Sequence, residues 1–141
     1  MNKKILVPFD ASPSSLRALQ YAVPFAEEVG YELIILNVQF DYNTRNVRKF
    51  AGQHQIKQYQ EEAARQSFET AEEYLADYEV TPTFRKRIGI PDQVILEESA
   101  NEDVRLIVMG TRGVGRVKGA ILGSVSYNVL QSTKVPVTIV P

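Results

Sequence analysis

Two kinds of hydrophobic pattern alternate along the chain. Residues 4–9, 33–38, 104–109 and 137–140 are short, nearly unbroken apolar runs rich in β-formers, as expected of strands buried on both faces of a parallel sheet. Residues 81–88 differ: Phe84 and Ile88 are joined by three consecutive cations, Arg85, Lys86 and Arg87, which suit a sheet edge rather than its centre.

Between these runs the apolar period lengthens to that of a helix. Ser12-Pro13 supplies an N-cap and a first helical residue, after which Leu16, Leu19, Ala22, Val23 and Ala26 share one face. Pro24 falls inside that pattern and predicts a kink or an irregular turn; Gly30 closes the helix. A second helix is expected over residues 57–78, with a weakly apolar stripe of Gln60, Ala64, Ser67, Ala71, Tyr74, Leu75 and Tyr78 that predicts partial exposure. Pro91 begins a third helix that extends over residues 92–100, and a fourth starts at Ser124 with Val125, Val129 and Leu130 facing inward. Residues 39–56 are polar and without period, and read as a mobile excursion. Strands alternating with helices at this spacing make an α/β domain with a parallel sheet.

Composition narrows the class without deciding it. The 141 residues suit one domain, residues 1–141, with room for a core, and 44% hydrophobic content argues against disorder. Sixteen basic and seventeen acidic side chains leave a net charge of −1, so no global field favours nucleic acid or an anionic membrane, and any anion site must be local. The absence of cysteine removes disulfides, thiolate metal sites and a cysteine nucleophile. The first apolar segment stops at Pro8, too short for a signal peptide, and no run approaches a membrane span. The expectation is a cytoplasmic protein.

The candidate chemistry lies in residues 104–126. An apolar run breaks at Gly110 into a loop holding Gly113, Gly115, Gly119 and Gly123 together with Arg112, Arg116 and Lys118, and then reaches Ser124. Glycines let backbone N–H groups approach a ligand, and a helix start offers unpaired donors and a positive dipole end. Such a loop can cradle phosphates. It is not a Walker A loop, because Ala120-Ile121-Leu122 precede Gly123-Ser124 and no lysine follows Gly123. Nor does it place the third glycine of a dinucleotide fingerprint.

The spacing Gly110-x2-Gly113-x9-Gly123-Ser124 resembles the nucleotide signature of the universal stress protein family, in its ATP-binding branch. The resemblance extends from Ile5-Leu6-Val7-Pro8-Phe9-Asp10-Ala11-Ser12 through Gly89-Ile90-Pro91 to Val135-Pro136-Val137. It implies a five-stranded parallel sheet of order 3-2-1-4-5 with helices on both faces, in agreement with a polar third strand at one edge. Strands one and four are then central neighbours, and Asp10 and Gly110 flank the switch point at which such sheets bind ligands.

The resemblance also implies residue roles. Asp10 matches an aspartate at the adenosine end, able to accept from ribose hydroxyls or to help hold Mg²⁺ or Mn²⁺ through water; by position alone it reads equally as a turn carboxylate. Pro8 shapes the adjoining wall. Val38 matches the position whose backbone meets the adenine edge, and Asn37 departs from the histidine often found there. Gly110, Gly113 and Gly123 line the phosphates; Ser124, Val125 and Ser126 lie at the helix start, where Ser124 can cap its helix, bind a phosphate oxygen, or both. Ser126 is the second candidate hydroxyl. Arg112 reads as a phosphate clamp or a solvated charge, Arg116 and Lys118 as solvated. His54 reads as a surface residue, and Glu61-Glu62, Glu72-Glu73 and Glu97-Glu98 as solvated faces.

No residue is assigned a catalytic role, and the metal ligands are left open. The resulting expectation is an ATP-binding regulatory module of stress adaptation, with slow or no hydrolysis. The alternative is a nucleotide-independent dimeric interaction module of the same fold. The last strand, Val137, Thr138, Ile139 and Val140, is apolar at the opposite edge and predicts a homodimer, which the resemblance also implies.

Overall fold

The apolar runs become the strands of one sheet. In the computed structural model, which describes residues 2–41, 52–112 and 122–141, the strands are β1 (Lys4–Pro8), β2 (Glu32–Gln39), β3 (Pro82–Ile88), β4 (Val104–Gly110) and β5 (Val137–Val140). The helices among the described residues are α1 (Pro13–Val29), α2 (Gln53–Leu75), α3 (Pro91–Ser99) and α4 (Ser124–Ser132). All strand pairs are parallel, in the order β3-β2-β1-β4-β5. The sheet is thus the α/β architecture expected.

Alternation along the central strands builds two cores. Ile5, Val7 and Phe9 of the first strand and its end join Leu33, Ile35 and Val108 beneath α1 and α2. Leu6, Ile34, Leu36, Ile107 and Met109 face the other way, against Val94 and Ile95 of α3 and Val129 of α4. Each fully buried Leu or Ile contributes roughly 1.5–3 kcal/mol, so the central strands are fixed on both faces.

Helix α1 begins as its sequence suggests, with Ser12 Oγ accepting the Ser15 N–H at 3.2 Å and Pro13 in the first turn. It ends at Gly30, whose φ of 76° is the left-handed conformation a glycine adopts freely. Pro24 lies inside the helix, which continues on both sides of it. Pro24 has no N–H for the Gln20 carbonyl, and the Tyr74 hydroxyl of α2 donates to that oxygen at 3.4 Å instead. Tyr78 lies 3.2 Å from the same hydroxyl. Burial, with the Tyr78 bond adding to it, pushes the Tyr74 phenol up to about 12.

Three expectations are corrected. Helix α2 starts at Gln53 rather than residue 57, because the Gln55 side chain accepts the Gly52 N–H and begins the helix before its apolar stripe does. Leu130 is 39% exposed, since Val125, Ser126 and Val129 take the inward face of α4. Glu98 is buried at 7% exposure, not solvated. Arg85 and Arg87, two apart on one face of β3, hold it with Nε at 3.1 Å and Nη1 at 2.8 Å, and Glu97 takes Arg87 Nη2 at 2.6 Å. Of the excursion expected over residues 39–56, residues 42–51 lie outside the described residues.

The two sheet edges differ in kind. The bonds Leu33 N–H to Thr81 O and Gly89 N–H to Gln39 O turn the odd residues of β3 toward β2, which leaves Pro82, Phe84, Lys86 and Ile88 facing outward. A proline without a donor and a lysine blunt that edge. At the other end, Ile107 N–H to Pro136 O turns Thr138 and Val140 inward and leaves the backbone of Val137 and Ile139 facing outward, with no charge or proline between them.

Candidate functional site

The cleft originates in a missing donor. Lys4 N–H bonds Asp103 O and Phe9 N–H bonds Leu36 O, so even residues of β1 face β4 and odd ones face β2. Pro8 therefore turns toward β4 without an N–H to offer. The β1–β4 ladder ends at Leu6–Ile107, while β1–β2 continues to Pro8–Leu36. Strands β1 and β4 part at their C-terminal ends.

Beyond Leu36 the same alternation turns Val38 toward the β1 side, where its N–H would find the Phe9 carbonyl as the next rung. That carbonyl is taken by Asn37, whose Nδ2 donates to it at 2.9 Å while its Oδ1 accepts Gln39 Nε2 at 2.7 Å. No bond joins Val38 N–H to Phe9 among the described residues. Val38 thus offers one backbone donor and one acceptor past the end of β1, the pair that an adenine edge requires. Asn37 is 1% exposed, and its polarity inside an apolar run was the signal of this task.

Asp10 sits where the chain turns off the sheet. Its Oδ1 accepts the Ser12 N–H at 2.9 Å, its own N–H reaches Ser15 Oγ at 3.4 Å, and Ala11 between them has φ 63°. A non-glycine in that region costs roughly 1–2 kcal/mol, held here by the bonds on either side. The carboxylate is only half-buried, and Oδ2 is left to accept from a ligand.

Three bonds close the base of the glycine loop. Gly123 N–H donates to Thr111 O at 2.6 Å, Ser126 Oγ to Gly110 O at 2.9 Å, and Arg112 N–H to Ser14 Oγ at 3.2 Å. Gly110 and Ser126 are buried there, so the Ser126 hydroxyl proton is spent on the strand end. The N-cap of α4 is Gly123, not Ser124; Ser124 is the first helical residue and is exposed. The first intrahelical bond is Tyr127 N–H to Gly123 O at 3.0 Å, which leaves the amides of Ser124, Val125 and Ser126 without intrahelical acceptors. Val125 points its side chain into the core, so only its backbone is offered. Arg112 is half-buried rather than solvated, and its Nε is buried without a hydrogen-bond partner. Gly113, Arg116 and Lys118 lie outside the described residues.

The remaining candidates stand apart. His54 is exposed on α2, and the described residues contain no group of three His, Asp or Glu that could hold a metal. A cavity of about 330 Å³ between α2 and β3 is walled by Asp41, Ile56, Lys57, Glu61 and Lys86, a mixture of both charges distant in the fold from the β1–β4 split. No helix among the described residues is long and apolar enough to cross a membrane.

This arrangement has relatives. The family model described as the universal stress protein family matches residues 1–141. The chain belongs to that family. One universal stress protein, YxiE of Bacillus subtilis, is 34% identical over 147 residues, covering 99% of both chains. The solved structure of MJ0577, a universal stress protein of Methanocaldococcus jannaschii, superposes with a TM-score of 0.84 at 31% identity, covering 99% of this chain and 96% of that one. A universal stress protein solved in complex with cAMP aligns with a TM-score of 0.68 at 27% identity, over 99% and 96% of the two chains.

Proposed function

We propose that this universal stress protein binds ATP across the split between β1 and β4 and acts as a nucleotide-dependent regulatory module in stress adaptation. One observation carries the reading: residues that close the loop carry donors without acceptors, namely the amides of Ser124, Val125 and Ser126 and the buried Arg112 Nε. Phosphate oxygens satisfy such donors. Val38 would meet the adenine edge and Asp10 the ribose, and the relative solved with cAMP supports an adenine nucleotide as the class. A bound Mg²⁺ or Mn²⁺ would neutralise phosphate charge, with Asp10 the carboxylate available to it. The sequence offers no committed general base to orient water at the loop, and the reading keeps turnover slow or absent.

Titrating ATP with Mg²⁺ into folded, nucleotide-stripped protein is expected to give micromolar binding. Gly123 has an ordinary φ of −69°, but a β-carbon there meets Arg112 Cα at 3.3 Å and Thr111 O at 3.4 Å. A Gly123→Val and Ser124→Ala double variant therefore distorts the loop closure and weakens ATP by more than about tenfold, the equivalent of one to two charge-assisted bonds. A folded wild type that takes up no ATP would overturn the reading and favour the nucleotide-independent interaction module.

The module works as a homodimer in this reading, because β5 exposes the unblunted edge described above. Two copies pair their Val137 and Ile139 backbones about a two-fold axis. Light scattering at micromolar concentration is expected to give twice the chain mass for the wild type. The monomer mass is expected for Ile139→Pro, which deletes an outward donor without breaking a bond to β4. A monomeric wild type would remove the dimer from the proposal.

A further inference from the structure

Three serines open α1, and they behave differently. Ser12 and Ser15 bond within their own turn: Ser15 N–H to Ser12 Oγ at 3.2 Å, Ser15 Oγ to Ser12 O at 3.1 Å. That is the usual habit of a serine at a helix start. Ser14 does not share it. Only 6% exposed, its Oγ reaches across the fold to accept the Arg112 N–H at 3.2 Å.

The place of that bond gives it consequence. Arg112 lies at the entry of the loop, next to Thr111, whose carbonyl accepts Gly123 N–H at 2.6 Å. Ser14 also lies against Gly110, where a β-carbon would come within 2.2 Å of its Oγ. One hydroxyl therefore touches the end of β4 and the entry of the loop together. It fixes the backbone that carries the orphaned Arg112 Nε.

We propose that Ser14 is a positioning residue for the phosphate end of the site. By holding the Arg112 backbone to α1 it presents the guanidinium to phosphate, and so sets the preference of the site for a phosphorylated ligand over the bare nucleoside. The inference rests on the nucleotide reading above, and deepens it by naming what ties α1 to the loop. Loss of the hydroxyl leaves the Arg112 N–H without its acceptor and the loop entry free to shift. The Val38 edge is held by Asn37 and does not depend on it.

The test compares ATP with adenosine by calorimetry in four proteins: wild type, Ser14→Ala, Arg112→Ala and the double variant. Ser14→Ala is expected to weaken ATP about fivefold to tenfold, the equivalent of one hydrogen bond, and to leave adenosine unchanged. In the Arg112→Ala background it should cost nothing more, because Ser14 acts through Arg112. Ser14→Thr keeps the hydroxyl and should keep the wild-type ratio of the two affinities, a readout that also serves if Ser14→Ala folds poorly. Equal loss of ATP and adenosine, an unchanged ATP affinity, or additive effects in the double variant would each overturn the role of Ser14 and leave the nucleotide reading intact. A wild type that binds neither ligand would overturn both.

Discussion

Asn37→Asp is expected to destabilise the protein by about 3 kcal/mol at pH 7, roughly 10 °C in Tm for a chain of this size. The substitution keeps the shape and replaces the Nδ2 donor by oxygen, which then faces the Phe9 carbonyl at a site 1% exposed to solvent. An acceptor meets an acceptor, and a charge is left without solvent. Burial favours the protonated acid, so the folded pKa of the new carboxyl rises above its unfolded value of about 3.9. Stability relative to the wild type is then recovered below about pH 4, where the acid can donate to Phe9 O, and is lost as pH rises through the folded pKa. Thermal melts of both proteins between pH 4 and pH 7 should show a gap that widens with pH. A gap of constant size, or none, would mean that Asn37 does not hold the end of β1.

That residue also marks how far the sequence could be read. Strands two and four were legible because runs of Leu, Ile and Val admit little else, and the blunted third strand identified its own edge. The polar Asn37 was visible as an oddity, but its work depends on β1 ending one rung short, a fact of register rather than of composition. The early start of helix α2 was not legible, because a glycine N-cap with Gln55 has no hydrophobic signature. Glu98 looked like half of a solvated pair. Its burial follows from two arginines at period two on β3 facing α3, a pairing between elements that no local window contains.

The site was legible in part for the same reason. The glycine spacing located the loop, and Ser12 and Pro13 located the start of α1. The contact between them was hidden, because Ser14 and Ser15 are indistinguishable as letters, and only packing decides which one reaches Arg112. Gly110 read as a phosphate glycine; its surroundings add a second task that the spacing does not show, the close approach of a strand end to a helix start.

Gly110→Ala is therefore expected to cost about 3 kcal/mol and to weaken ATP by at least about tenfold. The added methyl would lie 2.2 Å from Ser14 Oγ, 2.7 Å from Ser14 O and 2.8 Å from Ser14 C. Two of these atoms are backbone, so a rotamer change cannot clear the space. The strand cannot slip either: Gly110 pairs with Val140 of β5 and its carbonyl accepts the Ser126 hydroxyl. The first turn of α1 is held within itself by the cap that ties Ser12 to Ser15, so it can move only as a body. The methyl must push α1 away from the loop, and with it the Ser14 bond to Arg112. Gly52→Ala, where a β-carbon meets nothing within 4 Å, is the control and should stay within about 1 kcal/mol. Denaturant melts and ATP titrations on both variants separate the two terms. Adding Ser14→Ala to Gly110→Ala should recover little stability, since the backbone clashes remain. Full recovery would show that the Ser14 side chain alone made the contact tight, and that the backbone of α1 can yield to the methyl.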